Sequence, residues 1–410
     1  MKTLSTLEVA YNGDPIGHLW CEEPDRWMFR PTDGSAAATG VPAWSALALQ
    51  PAGASDCRAW LRGLLPDSLE CARLAQRHGV SVGNEFALLG LRGNDCQGGL
   101  SFARPGSPSR VASEWRTVDD EVLRALVRGQ RADALDSLSW LLPGDPCQFP
   151  CRFADGQIDV SAASGGWIAR VGREGFDEAV ENEALCMRLA AALGLPVPAT
   201  TLWRGPTPVL LARRADRQEV PAGSGRRHLE DFCQLSALHP EQAYEREGGL
   251  AVLDCANLIR RYSQAPALDI RALLNWLVFC FLAGVGQAHA RTLCLIESAR
   301  GPRLALNGGL LSTHVYPNAS ERMAMYIGKE DRPDWIHLAR WREMAEELGV
   351  GTRYMLELLR QMAVRLPPLA DAVASDLQLP RQALKVVPRI LKLITNRARQ
   401  SVIALEAERI

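Results

Sequence analysis

From Trp276 to Val285 the chain carries no charged residue. It then opens into Gly286-Gln287-Ala288-His289-Ala290-Arg291-Thr292 and turns apolar again at Leu293-Cys294-Leu295. Such a run predicts a buried helix over 268–283 that delivers the chain into a polar loop just past Gly284. The apolar part is shorter than the ~20 residues that a bilayer span requires. Asn275, Gln287 and His289 interrupt its flanks. The other long uncharged run, 34–55, is rich in Ala, Gly, Pro and Ser and reads as loop.

The chain has 410 residues, too many for one core, so two or three domains are expected. A net charge of −1 argues against a general affinity for nucleic acid and leaves room only for a local basic patch. The 11 cysteines show no repeated spacing, and Met1-Lys2-Thr3-Leu4-Ser5 opens no apolar targeting core. Free thiols in a reducing cytoplasm are the expectation. Cys147 and Cys151 are the closest cysteine pair, but no second pair accompanies them, which makes them weak zinc ligands.

Apolar runs at 7–11 and 16–20 flank Asn12-Gly13-Asp14, a hairpin signal because both Asn and Gly tolerate positive φ. Helices are expected over 56–64, 69–77, 85–90 and 118–138, and strands over 158–160, 167–171, 197–203 and 209–212. A further helix over 178–193 is expected, capped by Asp177 and stopped by Gly194. Beyond about 229 the pattern is nearly all helical, with candidates at 248–262, 268–283, 333–348, 354–366 and 380–407. Pro388 should kink or split the last. Trp335 and Trp341 fall on one of these helices and read as core. A mixed first half and a helical second half give an α+β arrangement of two lobes.

Several segments resemble, in order, the motifs of the HipA family of serine/threonine kinases. Gly63-Leu64-Leu65-Pro66-Asp67 is similar to the family's N-L-L-P-D/E. Gly93-Asn94-Asp95-Cys96-Gln97-Gly98-Gly99-Leu100 is similar to G-x-D-C-x-G-A-L. Asn182-Glu183 opens a helix close to the family's N-E helix, and Arg214-Ala215-Asp216-Arg217 looks like R-F-D-R. Glu230-Asp231-Phe232-Cys233-Gln234 with Tyr244-Glu245 looks like E-D-x-C-Q…Y-E. The resemblance implies a two-lobed, protein-kinase-like fold: an N-terminal β/α subdomain over 1–107, a small sheet-containing lobe over 108–235 and an all-helical large lobe over 236–410.

Set against that family, residues 284–294 resemble the catalytic loop G-x-x-D-x-H-x-K-N-F-S, with the frame kept and the chemistry altered. Gln287 stands at the catalytic Asp and Thr292 at the metal-binding Asn. In 304–313, similar to L-A-P-x-Y-D-x-x-S-T, Gly309 stands at the second metal-binding Asp. In the phosphate loop Leu141 replaces the autophosphorylated serine, Pro143 and Pro146 lack N–H donors, and Gln148 replaces a lysine. Phosphoryl transfer needs a carboxylate for the attacking hydroxyl and ligands that hold Mg²⁺ on the phosphates. No catalytic residue and no metal ligand is therefore expected. Arg170, Glu183, His289, Arg291 and Asp216 remain as remnants of the nucleotide pocket. For Glu183 and Asp216 plain ion pairs are the alternative.

The reading that follows is a pseudokinase acting by protein binding, with a helix-turn-helix HipB-like partner as the resemblance implies. DNA would be reached through that partner, no cofactor would be needed, and no membrane would be involved. One alternative is an active kinase using ATP and Mg²⁺ through relocated ligands such as Asn307, Asp216 or Glu183. Another is nucleic-acid contact through the basic C-terminal face formed by Arg381, Lys385, Arg389, Lys392, Arg397 and Arg399, which a solvated helix face would also explain.

Overall fold

The computed structural model describes residues 6–23, 26–32, 41–46, 55–106, 114–130, 135, 142–144, 147–161, 165–220, 223–306, 308–379 and 384–408. Contacts divide the chain into two compact units. One comprises 1–170, 213–241 and 294–302, and the other 171–212, 242–293 and 303–410.

The first unit opens on the expected hairpin. Thr6–Tyr11 pairs antiparallel with Asp14–Glu23. The two-residue turn has Asn12 at φ 50° and Gly13 at φ 94°, both left-handed. Arg26–Pro31, Ser55–Asp56 and Leu100–Ala103 complete a five-stranded sheet. Its buried face, with Leu7, Val9, Leu19 and Phe29, meets Trp60, Leu61, Leu65 and Phe86 from the helices Arg58–Arg62 and Glu85–Arg92 and the turn between them. Ser68–Arg77 begins where Asp67 accepts the N–H of Glu70, a standard cap. A second group of antiparallel strands comprises Arg116–Thr117, Gln157–Val160, Gln148–Ala154 and Trp167–Val171.

A buried ion network ties this unit together. Arg214 binds Asp95 at 3.0 Å and Asp216 at 3.1 Å, and Arg217 binds Asp216 at 2.6 Å and also reaches Asp95. The Gly98 N–H donates to Asp216 at 2.8 Å. Burial alone would raise both carboxyl pKa values. For Asp95 the guanidiniums of Arg214, Arg217 and Arg226 outweigh it, and for Asp216 those of Arg214 and Arg217 do. Both stay below the usual carboxylate range.

The second unit is built around Pro266–Ala283, whose residues from Trp276 to Ala283 are all buried. Its length and composition would suit a membrane crossing, but here the apolar surface packs against Val252–Tyr262, Ala179–Ala192, Thr352–Asp376 and Val386–Ala407. A short hairpin, Thr200–Trp203 with Val209–Arg213, adjoins.

Several expectations change. The helix at 118–138 is Asp120–Val127, ended at Gly129 with φ 68°; much of 131–140 lies outside the described residues. Asp177 does not cap Ala179–Ala192. Glu178, left-handed at φ 57°, precedes the helix instead, and its carboxylate accepts the N–H groups of Lys385 and Val386 at 2.8 and 2.7 Å. Thr352–Asp376 continues ten residues past the expected end, straight through Pro367-Pro368. Buried Ala370 and Ala374 hold that last part on the core, and packing overrides the lost N–H donors. Pro388 is the third residue of Val386–Ala407. First-turn N–H groups have no helical partner to lose, so the helix is not split there. The region after 229 is not all helix: Leu229–Asp231, Leu293–Ile296 and Arg303–Leu306 are strands, and 308–337 carries only short 3₁₀ turns. Trp341 is core, but Trp335 is 58% exposed.

Replacing Asp95 with Asn should cost about 3–5 kcal/mol, because it leaves buried guanidinium uncompensated. The native network's contribution is complete above the unfolded carboxylate value of about 4 and is lost as pH falls below it. Urea midpoints measured from pH 3 to 7 should therefore drop on the acid side in the native protein and less so in the variant.

Candidate functional site, the loop after the central helix

The helix Pro266–Ala283 ends at Gly284, left-handed at φ 72°, and the N–H groups of Gly284 and Val285 both turn back to the Cys280 carbonyl. Gly286 follows in a crowded turn. A Cβ there would lie 2.6 Å from His314 Nε2 and 2.7 Å from Thr313 Oγ1, so any larger residue would have to push these side chains aside. The Gly286 N–H donates to Thr313 Oγ1 at 3.0 Å, and the His314 N–H to the Gly284 carbonyl at 3.2 Å. Ser312 Oγ donates to the Ala283 carbonyl at 2.6 Å.

Asn182 clasps the other side of this segment. Its Nδ2 donates to the Ser312 carbonyl at 3.0 Å and its Oδ1 accepts the Ser312 N–H at 2.9 Å. The Nδ2 also reaches Tyr316 Oη at 3.1 Å, and that hydroxyl donates to the Asp177 carbonyl at 3.0 Å. The clasp carries residues 312–313 onto the loop through backbone groups, so the loop's position depends little on the side chains it displays.

Those side chains are sparse in chemistry. Gln287 is exposed, and its carbonyl accepts the His289 N–H at 3.1 Å. Thr292 Oγ1 donates to the His289 carbonyl at 2.6 Å. Arg291 is partly exposed beside it, and Gly309 stands left-handed at φ 80° in the segment that leads to Ser312. The His289 ring packs edge-on against Tyr244, centroids 5.2 Å apart. Burial, with Arg291 nearby, pushes the imidazole pKa down to about 4, which leaves it neutral at pH 7. Its Nδ1 is buried and has no hydrogen-bond partner among the described residues.

Gln287, His289, Arg291, Thr292 and Gly309 thus gather in the second unit, as does Glu183, half-buried on Ala179–Ala192. Arg170 sits on Trp167–Val171 in the first unit, in register with Gln148, whose Nε2 donates to the Pro143 carbonyl at 2.8 Å. Asp216 is also in the first unit, sealed in the ion network. Leu141, Asp145, Pro146, Asn307 and Arg381 lie outside the described residues. Among those described, no three His, Cys, Asp or Glu side chains cluster as metal ligands would. Cys147 and Cys151 are buried thiols. Of the basic face, Lys385, Arg389, Lys392 and Arg399 are exposed. Arg397 departs from them: it donates to the Phe281 carbonyl at 2.6 Å and meets His314 Nδ1 at 3.0 Å. There it stabilises the C-terminal end of the central helix.

Sequence reasoning missed the structural roles of Asn182, Ser312, His314 and Arg397. The glycine spacing around 284–286 was the available signal that another segment approaches closely. Asn182→Ala would strand the Ser312 N–H and carbonyl in a buried site, at a cost of about 2–4 kcal/mol. Thermal unfolding should fall accordingly, and proteolysis near 284–292 should quicken.

Two family models match the chain: the HipA N-terminal domain over residues 7–103 and the HipA-like C-terminal domain over 149–369. Y4mE of Sinorhizobium fredii, provisionally named a kinase, is 34% identical over 80% of this chain and 81% of its own. The serine/threonine-protein kinase toxin HipA of Shewanella oneidensis is 24% identical over 80% of each chain. A solved HipA from that organism, in complex with HipB and operator DNA, superposes with a TM-score of 0.80 at 22% identity, covering 96% of this chain and 97% of its own. The α+β, two-lobed kinase-like fold expected from the motifs is the fold these matches share, and the chain belongs to the HipA family.

Proposed function

We propose that this chain is a HipA-fold pseudokinase that works by binding a protein, with a helix-turn-helix partner of the HipB kind. The observation that carries the reading is the character of one loop. Its backbone frame is kept by Gly284, Gly286, Asn182 and Ser312, while Gln287, Thr292 and Gly309 occupy the positions where the family has its catalytic and metal-binding side chains. A carboxamide does not take the hydroxyl proton as a carboxylate does, and loss of a general base alone commonly costs ~10²–10⁴ in rate. The Thr292 hydroxyl is engaged with the His289 carbonyl, and glycine offers no ligand. Mg²⁺ needs oxygen ligands to bridge the phosphates, so the same three positions bear on metal and on chemistry together.

The partner follows from the relative. The Shewanella HipA was solved with HipB and operator DNA, and this chain keeps the fold that docks them. DNA would be reached through that partner, in the cytoplasm. Relocated ligands are a weaker reading, since Asp216 is sealed among arginines.

A second reading adds direct contact with nucleic acid. From Leu377 to Leu405 the chain carries no Asp or Glu. Lys385, Arg389, Lys392 and Arg399 recur at spacings of three, four and seven along the exposed side of Val386–Ala407 and its first cap, which lines them up as a basic stripe.

Calorimetry with ATP and Mg²⁺ should give no metal-dependent heat. Metal-dependent nucleotide binding together with phosphorylation of any protein would overturn the pseudokinase reading. Co-purification from native cells should recover a small helix-turn-helix protein. If the basic stripe meets a phosphate backbone, replacing its four exposed cations with Gln should flatten the fall of log K with log salt, by roughly 0.9 in slope for every phosphate that is no longer neutralised.

A further inference from the structure

Glu245 begins the 3₁₀ turn Glu245–Glu247, which Gly248 closes at φ 87°. The turn is stitched to residues 322–327. The Glu245 N–H donates to the Ala324 carbonyl at 3.0 Å, and its carboxylate accepts the Tyr326 N–H at 2.7 Å. Arg246 reaches the Met323 carbonyl at 3.4 Å. The residue before, Tyr244, is the one that packs on His289. The turn therefore connects the loop at 287–292 with the segment at 322–327.

Among the described residues the carboxyl has no cationic partner of its own. Three acids act on it through space: Asp254 on Val252–Tyr262, Glu347 on Leu338–Leu348, and Asp331. Two of these are themselves paired, Glu347 with Lys329 at 3.6 Å and Asp331 with Arg322 at 2.7 Å. On its own turn, Arg246 lies 3.9 Å from Glu247. Nearby cations are thus directed at other acids, and Glu245 is half-buried among like charges.

We propose that Glu245 is a proton-controlled latch: protonated, it lets the turn at 244–248 close on residues 322–327, and ionised, it is repelled and loosens that closure and the Tyr244–His289 contact with it. Burial, opposed by the Tyr326 N–H and reinforced by Asp254, Glu347 and Asp331, pushes this carboxyl up to about 7. An acid raised in the folded state binds its proton more tightly there than in the open state. The closed turn is therefore firmest below the ordinary value of 4.5, weakens as pH climbs to about 7, and levels off above. This device does not depend on whether the loop catalyses anything.

Amide hydrogen exchange of the full chain reads it directly. Once corrected for the intrinsic rate, protection at Tyr326 and Glu245 should fall about tenfold between pH 5 and pH 7.5, with the rest screened by solvent at the carboxyl's exposed edge. Glu245→Gln keeps an oxygen for the Tyr326 N–H but cannot ionise, and its profile should be flat. Asp254→Asn, which can still cap its helix, should move the native fall to lower pH. A flat profile in the native chain, or an equal fall in Glu245→Gln, overturns the latch. Should the Gln variant not fold, an unshifted profile in Asp254→Asn overturns it instead.

Discussion

The second unit depends on a backbone constraint more than on any side-chain chemistry. Where Pro266–Ala283 ends, the chain reverses through left-handed Gly284 and then Gly286, where a Cβ would lie within 3 Å of the His314 and Thr313 side chains. Glycine makes the reversal possible, and Asn182 and Ser312 meet the polar backbone groups that it leaves buried. An unmet buried N–H or carbonyl costs about 1–3 kcal/mol, so these contacts are retained for stability whatever the loop displays.

That separation of backbone frame from displayed residues lets the side chains at 287, 292 and 309 vary without disturbing the frame. Changes at Gln287, Thr292 and Gly309 leave the clasp untouched, because none of these side chains takes part in it. Thr292 turns its hydroxyl back to its own loop, a local bond that Ser, Thr and Asn often form. Gly309 lies at a left-handed φ that Asp also tolerates better than most residues. The backbone would thus accept an acid there, and its absence is a matter of side-chain identity and not of strain.

Local signals were legible in the sequence, and the long-range ones were not. The Asn12-Gly13 turn and the stops at Gly194 and Gly284 each rest on one or two residues with a fixed backbone preference. The turn out of the central helix was legible too, from the apolar run that ends at Val285. The strand Gln148–Ala154 escapes a local reading because Pro150 interrupts its seven residues. Thr352–Asp376 was cut short because a Pro-Pro pair outweighs any local pattern, and only the burial of Ala370 and Ala374 reverses that. Glu178 shows the same limit. A cap for Val386–Ala407 that comes from about two hundred residues earlier leaves no trace in local spacing. Arg397 and Arg399 lie two apart in a basic run, yet only the first turns inward to the Phe281 carbonyl.

The distribution of acids in the structure bears on whether a metal site has simply moved. In the first unit, Asp95 and Asp216 are locked with Arg214 and Arg217. In the second, Asp269 is held by Arg303 at 2.7 Å and by the Leu304 N–H at 2.9 Å. Asp331 is held by Arg322, and Glu330 by Arg332 at 2.8 Å. Mg²⁺ demands near-octahedral oxygens at about 2.0–2.1 Å and gives up its water reluctantly. Any of these acids would first have to break its pairing, leaving a cation unpaired, before it could serve as a metal ligand. Glu245 lacks a cation among the described residues, but its neighbours Asp331 and Glu347 are committed to Arg322 and Lys329. What it can gather at neutral pH is a proton, and a proton needs one oxygen where a metal needs several.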